Sequence, residues 1–140
     1  MAGTITGTIE RITTQEGRPK LVVIKLTCTA EVGAATYPAT VVNDLAGVSD
    51  YDLRGLKLYS VATVPGTPGP TDNTDLTITD RYGIDILAGS GANIIDNTTL
   101  NRLVIGIASA VIITGDITVN ISANSVNAAT FDIILELIGL

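Results

Sequence analysis

The chain has 140 residues, of which 46% are apolar, but only 4% are aromatic and tryptophan is absent. A chain of this length forms one domain with its own core, and here that core must be built from aliphatic side chains. Charged residues make up 16% of the chain and the mean hydropathy is +0.43, whereas an average domain has about 25% charged residues. The composition therefore predicts that another chain covers part of the apolar surface.

Several classes of function are disfavoured by what the chain contains. The net charge is −6 and the eight cationic residues are scattered, which argues against binding to nucleic acid or to an anionic membrane. Histidine is absent, so serine triads and Cys–His dyads in their usual form are excluded. Cys28 is the single cysteine and lies in an apolar run. This context predicts that Cys28 is a small buried hydrophobic residue. We expect no catalytic residue, no cofactor and no metal site, and hence no enzyme.

Short runs rich in Ile, Val and Thr alternate with Gly, Pro, Asn and Asp along the whole chain. Turn residues at intervals of about eight to twelve residues are typical of an all-β domain. The first half predicts strands at Thr4–Thr13, Leu21–Ala30, Thr36–Val42 and Leu56–Val64, with a turn at Gln15–Pro19. Within the fourth run, Leu56, Leu58, Ala62 and Val64 are expected to share one face. The acidic stretch Asn43–Asp52 is loop-like, with one possible helical turn.

The second half of the chain continues this pattern. Strands are predicted at Asp75–Asp80, Ile84–Leu87, Arg102–Ile113, Ile117–Ser122 and Ala129–Ile138. Together the elements predict a single-domain antiparallel β-sandwich or barrel of roughly eight to ten strands spanning residues 1–140. Between the strands, Pro65, Pro68 and Pro70 stiffen one loop, since proline fixes φ. These three prolines are candidates for contact with a larger partner.

The Gly- and Asp-rich loops are better explained as turns than as ligand sites. Gly89–Asn93 lacks the Gly-Lys-Ser/Thr ending of a phosphate-binding loop. Asp72, Asp75, Asp80 and Asp85 do not have the alternate spacing of a calcium loop, so capping of turns is the expected role. A carbohydrate-binding module that uses Tyr51, Tyr59 and Tyr82 remains a less favoured alternative.

The stretch Leu103–Ile113 is apolar at nearly every position and permits two interpretations. It is either a central strand covered on both sides by its own domain or a strand with one face against a neighbouring subunit. The last strand has the same ambiguity on its outer face. The candidates for a subunit interface are Val104, Ile105, Ile107, Val111, Ile113, Ile134 and Ile138.

Three segments resemble a group of small structural proteins of tailed bacteriophages. They are the run from Leu56 to Gly66 that ends in Val-Pro-Gly, the run from Gly69 to Asp80 with its Pro-Thr-Asp-Asn turn, and Gly83–Asn93 with Leu-Ala-Gly-Ser-Gly-Ala-Asn. The hairpin from Asp116 to Thr130 is similar as well. The resemblance extends from about Tyr51 to Leu137.

The resemblance implies a structural role in the virion, first of all as a capsid decoration protein. Such proteins are small, β-rich, made in the host cytoplasm without a signal peptide, and often trimeric. The implied partners are further copies of the chain and the major capsid protein, and the implied location is the capsid surface. A tail-tube, head–tail connector or fibre-associated protein is the alternative.

Overall fold

The computed structural model describes residues 3–12 and 20–139, and the described residues form an all-β fold. The elements are β1 (Thr4–Ile12), β2 (Leu21–Thr29), β3 (Thr40–Val41), a 3-10 turn (Val42–Asp44), α1 (Asp50–Leu53), β4 (Lys57–Pro65), β5 (Asp75–Thr79), β6 (Asn101–Val104), β7 (Thr118–Ser122) and β8 (Thr130–Ile138). This confirms the predicted all-β class, and α1 is the helical turn expected in the acidic stretch. The turn predicted at Gln15–Pro19 lies outside the described residues.

The strands form two antiparallel sheets. The larger sheet has the order β1-β2-β8-β4-β6, and the smaller sheet has the order β3-β7-β5. The last strand of the chain, β8, is thus inserted between β2 and β4. Its position explains its sequence, because a central strand is flanked by neighbours on both sides and contributes one full face to the core.

Both sheets contribute to one apolar core. Val22, Ile24, Leu26 and Cys28 of β2 are completely buried, as the alternation of the sequence predicts. The odd-numbered residues of β8, from Phe131 to Leu137, are buried in the same cluster as Leu76 and Ile78 of β5. The ring of Tyr37 packs edge-on against Phe131, with 5.4 Å between the ring centres, and its hydroxyl donates to Ala129 O.

β4 corrects the predicted assignment of faces. A register shift between Leu58 and Ser60 inserts one extra residue into the strand, and a bulge of this kind exchanges the two faces beyond it. Leu58 and Val61 therefore both point into the core. Ala62 lies opposite Ile134 and Val64 lies opposite Asp132, on the outer side of the sheet. Strict alternation from Leu56 to Val64 was wrong because a bulge leaves no clear mark in the sequence.

Ile84–Leu87 is not the partner strand that the sequence predicted for β5. The segment touches β5 through a single bridge between Thr79 and Asp85 and otherwise forms turns. Asp85 accounts for this, because its carboxylate accepts hydrogen bonds from the backbone N–H groups of Ile78, Leu87 and Gly89. A side chain that satisfies local amides competes with the ladder of a sheet.

Candidate functional site

A patch of exposed apolar side chains covers the surface beside the start of β4 and the end of β6. Its members are between 37% and 56% exposed: Tyr59, Val104, Ile107, Val111 and Ile112. Residues 103–115 include no charged residue. Single exposed apolar residues are ordinary, but contiguous groups of them mark interaction sites. We call these five residues the apolar patch.

Backbone contacts hold the members of the apolar patch together. Tyr59 O accepts hydrogen bonds from Ile105 N at 2.8 Å and from Gly106 N at 3.2 Å. Lys57 forms a β-bridge with Ile112, and its Nζ donates to Ile107 O at 3.3 Å. The segment that follows β6 is therefore fixed along the first half of β4, and Ile107, Val111 and Ile112 stay at the surface.

The predicted strand Arg102–Ile113 is corrected by this geometry. The strand ends at Val104, because Gly106 takes a φ of +79° that an extended strand does not permit. A turn follows, closed by a hydrogen bond from Ala110 N to Gly106 O. The chain pairs again with the start of β4 through the bridge between Ile112 and Lys57. Next to this bridge, Ile113 N donates to Leu56 O at 2.8 Å.

The seven predicted interface residues are thus found in three environments. Val104, Ile107 and Val111 belong to the apolar patch. Ile113 is only 3% exposed and lies in the protein's own core, while Ile105 is half-buried and packs against that core. Neither is available to a partner in the way that the sequence suggested. Ile134 and Ile138 are half-buried on the outer face of β8.

That outer face carries two ion pairs around Ile134. Lys25 lies 3.5 Å from Asp132, and Arg102 contacts the carboxylate of Glu136. The Ser60 hydroxyl donates to Glu136 Oε1 at 2.5 Å. Ser60 and then Arg102 lower the pKa of Glu136, against the opposing effect of burial. The outer face is therefore mixed in character, whereas the five members of the apolar patch are all uncharged.

The proline loop is held rigidly, but only part of it is accessible. Thr130 N donates to Pro68 O at 2.7 Å, and Asn97 Nδ2 donates to both Gly69 O and Pro70 O. Pro68 is exposed and Pro65 is half-buried, whereas Pro70 is buried. Of the three predicted contact residues, Pro70 is therefore not presented to a partner.

Asp80 and Asp85 cap turns, as predicted, whereas Asp72 and Asp75 bind backbone amides of loops that are distant in the sequence. Asp72 accepts from Asn97 N at 2.8 Å, and Asp75 accepts from Asn93 N at 2.7 Å. Asp80 accepts from the backbone N–H groups of Tyr82 and Ile84. In residues 3–12 and 20–139, no three His, Cys, Asp or Glu side chains come together in a way that would hold a metal ion.

One buried ionic site was missed by the sequence interpretation. Asp52 of α1 is 6% exposed and accepts two hydrogen bonds from Arg11 of β1, at 2.7 and 2.8 Å. A third comes from Ser49 N at 2.9 Å. These bonds, led by those from Arg11, hold the pKa of Asp52 far below its ordinary range. The spacing Ser49-x-x-Asp52 is that of a helix cap and was the available signal, but nothing local indicates Arg11.

Two further groups are explained by burial. Cys28 is completely buried, which confirms its interpretation as a small core residue and raises the pKa of its thiol. Burial likewise raises the pKa of Tyr37. Neither the Cys28 thiol nor the Tyr37 hydroxyl is therefore placed to react with a molecule from solution.

The comparisons with known proteins give no assignment: no family model, curated protein or solved structure matches this chain. Within the described residues, no helix has the length and apolar character needed to cross a membrane.

Proposed function

We propose that this protein is a structural component of a tailed-bacteriophage virion that self-associates and binds the head shell as a decoration protein. The apolar patch is the observation that carries the self-association. The proposed role is purely structural and involves no catalytic step or cofactor. The resemblance of the segments between Leu56 and Asn93 to phage structural proteins supplies the biological setting.

Electrostatics favours the apolar patch as the place where copies meet. Each chain has a net charge of −6, so copies repel one another over most of their surface. Residues 103–115 carry no charge, and the charged group beside them is Lys57, whose Nζ is bonded to Ile107 O. Contact over this segment therefore brings no acidic groups of the segment together. A homo-oligomer formed there, for which the resemblance implies a trimer, hides the aliphatic side chains that remain exposed in the single chain.

Attachment to the shell requires a second, ordered surface, and the proline loop supplies one. Hydrogen bonds from Thr130 and Asn97 fix its backbone, so it loses little conformational entropy on docking. Pro68 lies at its exposed part. The acidic character of the chain also suits the outside of a head better than the side that faces DNA.

Decoration of this kind stabilises a shell by mass action, because the subunit binds the assembled lattice and not the free capsid protein. Quantitative mass spectrometry of purified virions, scaled to the major capsid protein, tests the proposal. A ratio close to one subunit per capsid protein is expected. A much lower ratio would place the protein in the tail or connector, and its absence from virions would overturn the virion role.

A further inference from the structure

At the β1 edge of the larger sheet, no strand from residues 3–12 or 20–139 pairs with the outer side of β1. Its nine residues pair with β2 in unbroken register, and within the described part of the chain β1 has no other strand neighbour. No proline, lysine or bulge interrupts it, and its two charged residues, Glu10 and Arg11, lie together near its end. Natural sheets normally protect such edges with proline, bulges or charged side chains along the strand, because an open strand readily pairs with another chain.

The other sheet edges are protected. β6 has only four residues and β3 only two. The outer side of β5 is bonded to the following loop, since Ile86 N donates to Ile78 O and Leu76 N donates to Gly91 O. In contrast, no hydrogen bond joins the backbone of β1 to any described residue outside β2. β1 is therefore the exception within this fold.

We propose that β1 binds β1 of a second copy, antiparallel, about a two-fold axis at Ile9. The two larger sheets then join into one continuous sheet of ten strands. This inference depends on β1 alone and does not require the virion role or the apolar patch. A two-fold contact uses the same surface on both copies, so it must be compatible with itself.

The charges on β1 favour one register, that is, one alignment of the two β1 strands along each other. With the axis at Ile9, Glu10 of one copy lies opposite Thr8 of the other, and Thr8 is in turn paired with Lys25 of β2. Two strand spacings, about 10 Å, separate Glu10 from Lys25 of the second copy, a distance that these two long side chains bridge. Glu10 is exposed and forms no ion pair with any described residue. Lys25 lies 3.5 Å from Asp132 of its own chain and would be shared between that carboxylate and Glu10 of the second copy.

The neighbouring registers are unfavourable. An axis at Glu10 places the two Glu10 side chains opposite one another, and like charges in that position destabilise a sheet. An axis at Thr8 places Arg11 opposite Ile5, which is 8% exposed and belongs to the core. The register centred on Ile9 brings each Glu10 within reach of Lys25 of the other copy and leaves the two Glu10 side chains about 8 Å apart, diagonally and not directly opposite. In the same register Ile9 faces its own copy.

The joined strands also border an open groove. A cavity of about 340 Å³ lies beside β1, lined by Thr8, Ile9, Glu10, Val23, Lys25 and Ile134. In the proposed dimer, Glu10 of the second copy lies at its rim. Pairing of seven residues buries less than the roughly 800 Å² per partner of a standard interface, so the dimer should dissociate on dilution.

Disulfide cross-linking of single-cysteine variants tests both the contact and its register. Opposite residues in an antiparallel pair are about 4.5–5.5 Å apart at Cα, within the range that a disulfide spans. Ile9→Cys should give a covalent dimer under mild oxidation. Thr8→Cys and Glu10→Cys should not, because their like-numbered residues are about 8 Å apart in this register. Native Cys28 is buried and does not compete.

Thr4→Cys is the matched control, since Thr4 is exposed on the same strand but lies beyond the paired residues. If Ile9→Cys does not fold, the double variant Thr8→Cys/Glu10→Cys replaces it, because these two positions face one another across the axis. Faster cross-linking at Thr8, Glu10 or Thr4 than at Ile9 would overturn the register. Absence of cross-linking at all of these positions would overturn the contact.

A charge reversal gives an independent readout. Glu10→Lys should weaken dimerisation roughly tenfold, because each dimer loses two favourable charge pairs and gains two unfavourable ones. Thr4→Lys introduces the same charge on the same strand and should leave dimerisation unchanged. Equal dimerisation of Glu10→Lys and the wild-type chain, measured by sedimentation over a range of concentrations, would contradict the proposal.

Discussion

The pair β2/β8 and the segment that contains β6 are built from the same aliphatic residues but place them differently. In β2 and β8, every second side chain is buried, and the outer positions include the charged residues Lys25, Asp132 and Glu136. In residues 100–112, five large aliphatic side chains are exposed, from Ile107 at 41% to Leu100 at 67%. Apolar content alone therefore does not identify the core of this protein.

The two regions differ in the periodicity of their apolar residues. β2 and β8 alternate without interruption, so one face of each enters the core. The segment after Val104 has apolar residues at nearly every position and includes Gly106, so it cannot direct all of them inward. The total accessible surface is 7073 Å², close to the roughly 6,800 Å² expected for a compact monomer of this mass. The exposed aliphatic residues therefore belong to a well-packed molecule, and we attribute them to association.

The largest expected effect contrasts the two regions directly. Leu135→Ala in β8 removes a completely buried side chain and should lower the free energy of unfolding by about 2–5 kcal/mol. Ile112→Ala removes a side chain that is 53% exposed and should change it by less than about 1 kcal/mol. Urea unfolding at low protein concentration measures both. Similar losses for the two variants would show that the apolar patch is part of the core.

A smaller effect on the free energy of unfolding is expected when a buried and an exposed charged residue are compared in the same way. Asp52→Asn weakens the bonds from Arg11 and Ser49 to a buried carboxylate and should cost about 1–3 kcal/mol of unfolding free energy. Asp132→Asn removes a partner from the exposed Lys25 and should cost less than about 1 kcal/mol. Urea unfolding at neutral pH measures the loss of unfolding free energy in both variants. An equal loss would contradict the structural role of Asp52.

The cost of Asp52→Asn should also depend on pH. The pKa of Asp52 is lowered in the folded chain, so its stabilisation is complete above the unfolded value of about 3.9. It is lost as the pH falls from there towards the lower folded pKa. The stability difference between wild type and variant should therefore shrink below about pH 4. A difference that is constant from pH 7 to pH 2 would exclude Asp52 as its source.

The smallest effect on stability is expected in the turns, which belong to neither region. Ala123 has a φ of +69°, a conformation that costs an L-residue about 1–2 kcal/mol. Ala123→Gly should therefore raise the free energy of unfolding by about 0.5–1 kcal/mol, after the entropic cost of glycine is subtracted. Ala39→Gly, at an exposed position without a positive φ, should lower it instead. Thermal unfolding of both variants shows whether each substitution raises or lowers the stability.

The sequence predicted the all-β class and most strand positions, because Ile, Val and Thr alternate clearly in β1, β2, β7 and β8. It did not predict the bulge in β4, which depends on pairing with β8. It also assigned a strand to Ile84–Leu87, where the Asp85 carboxylate binds backbone amides instead. Local patterns predict local structure, and these two errors arise from long-range pairing and side-chain competition.

The apolar patch was predicted only in part, because long-range pairing decides which of its residues stay exposed. The segment 103–113 was recognised as unusually apolar, but Ile113 returns to the core while Ile112 beside it stays exposed. Tyr59 joins the apolar patch only because the chain after Gly106 folds back along β4. The pairing of Arg11 with Asp52, 41 residues apart, has no local signature at all.

We propose that the apolar patch serves association and not folding. The most direct test compares the wild-type chain with the double variant Val104→Ser/Ile112→Ser by multi-angle light scattering across a range of concentrations. We expect a wild-type mass above two protomers, and a variant that melts at the same temperature but does not exceed the dimer formed through β1. A wild-type chain that never exceeds a dimer, or equal masses for the two proteins, would contradict it.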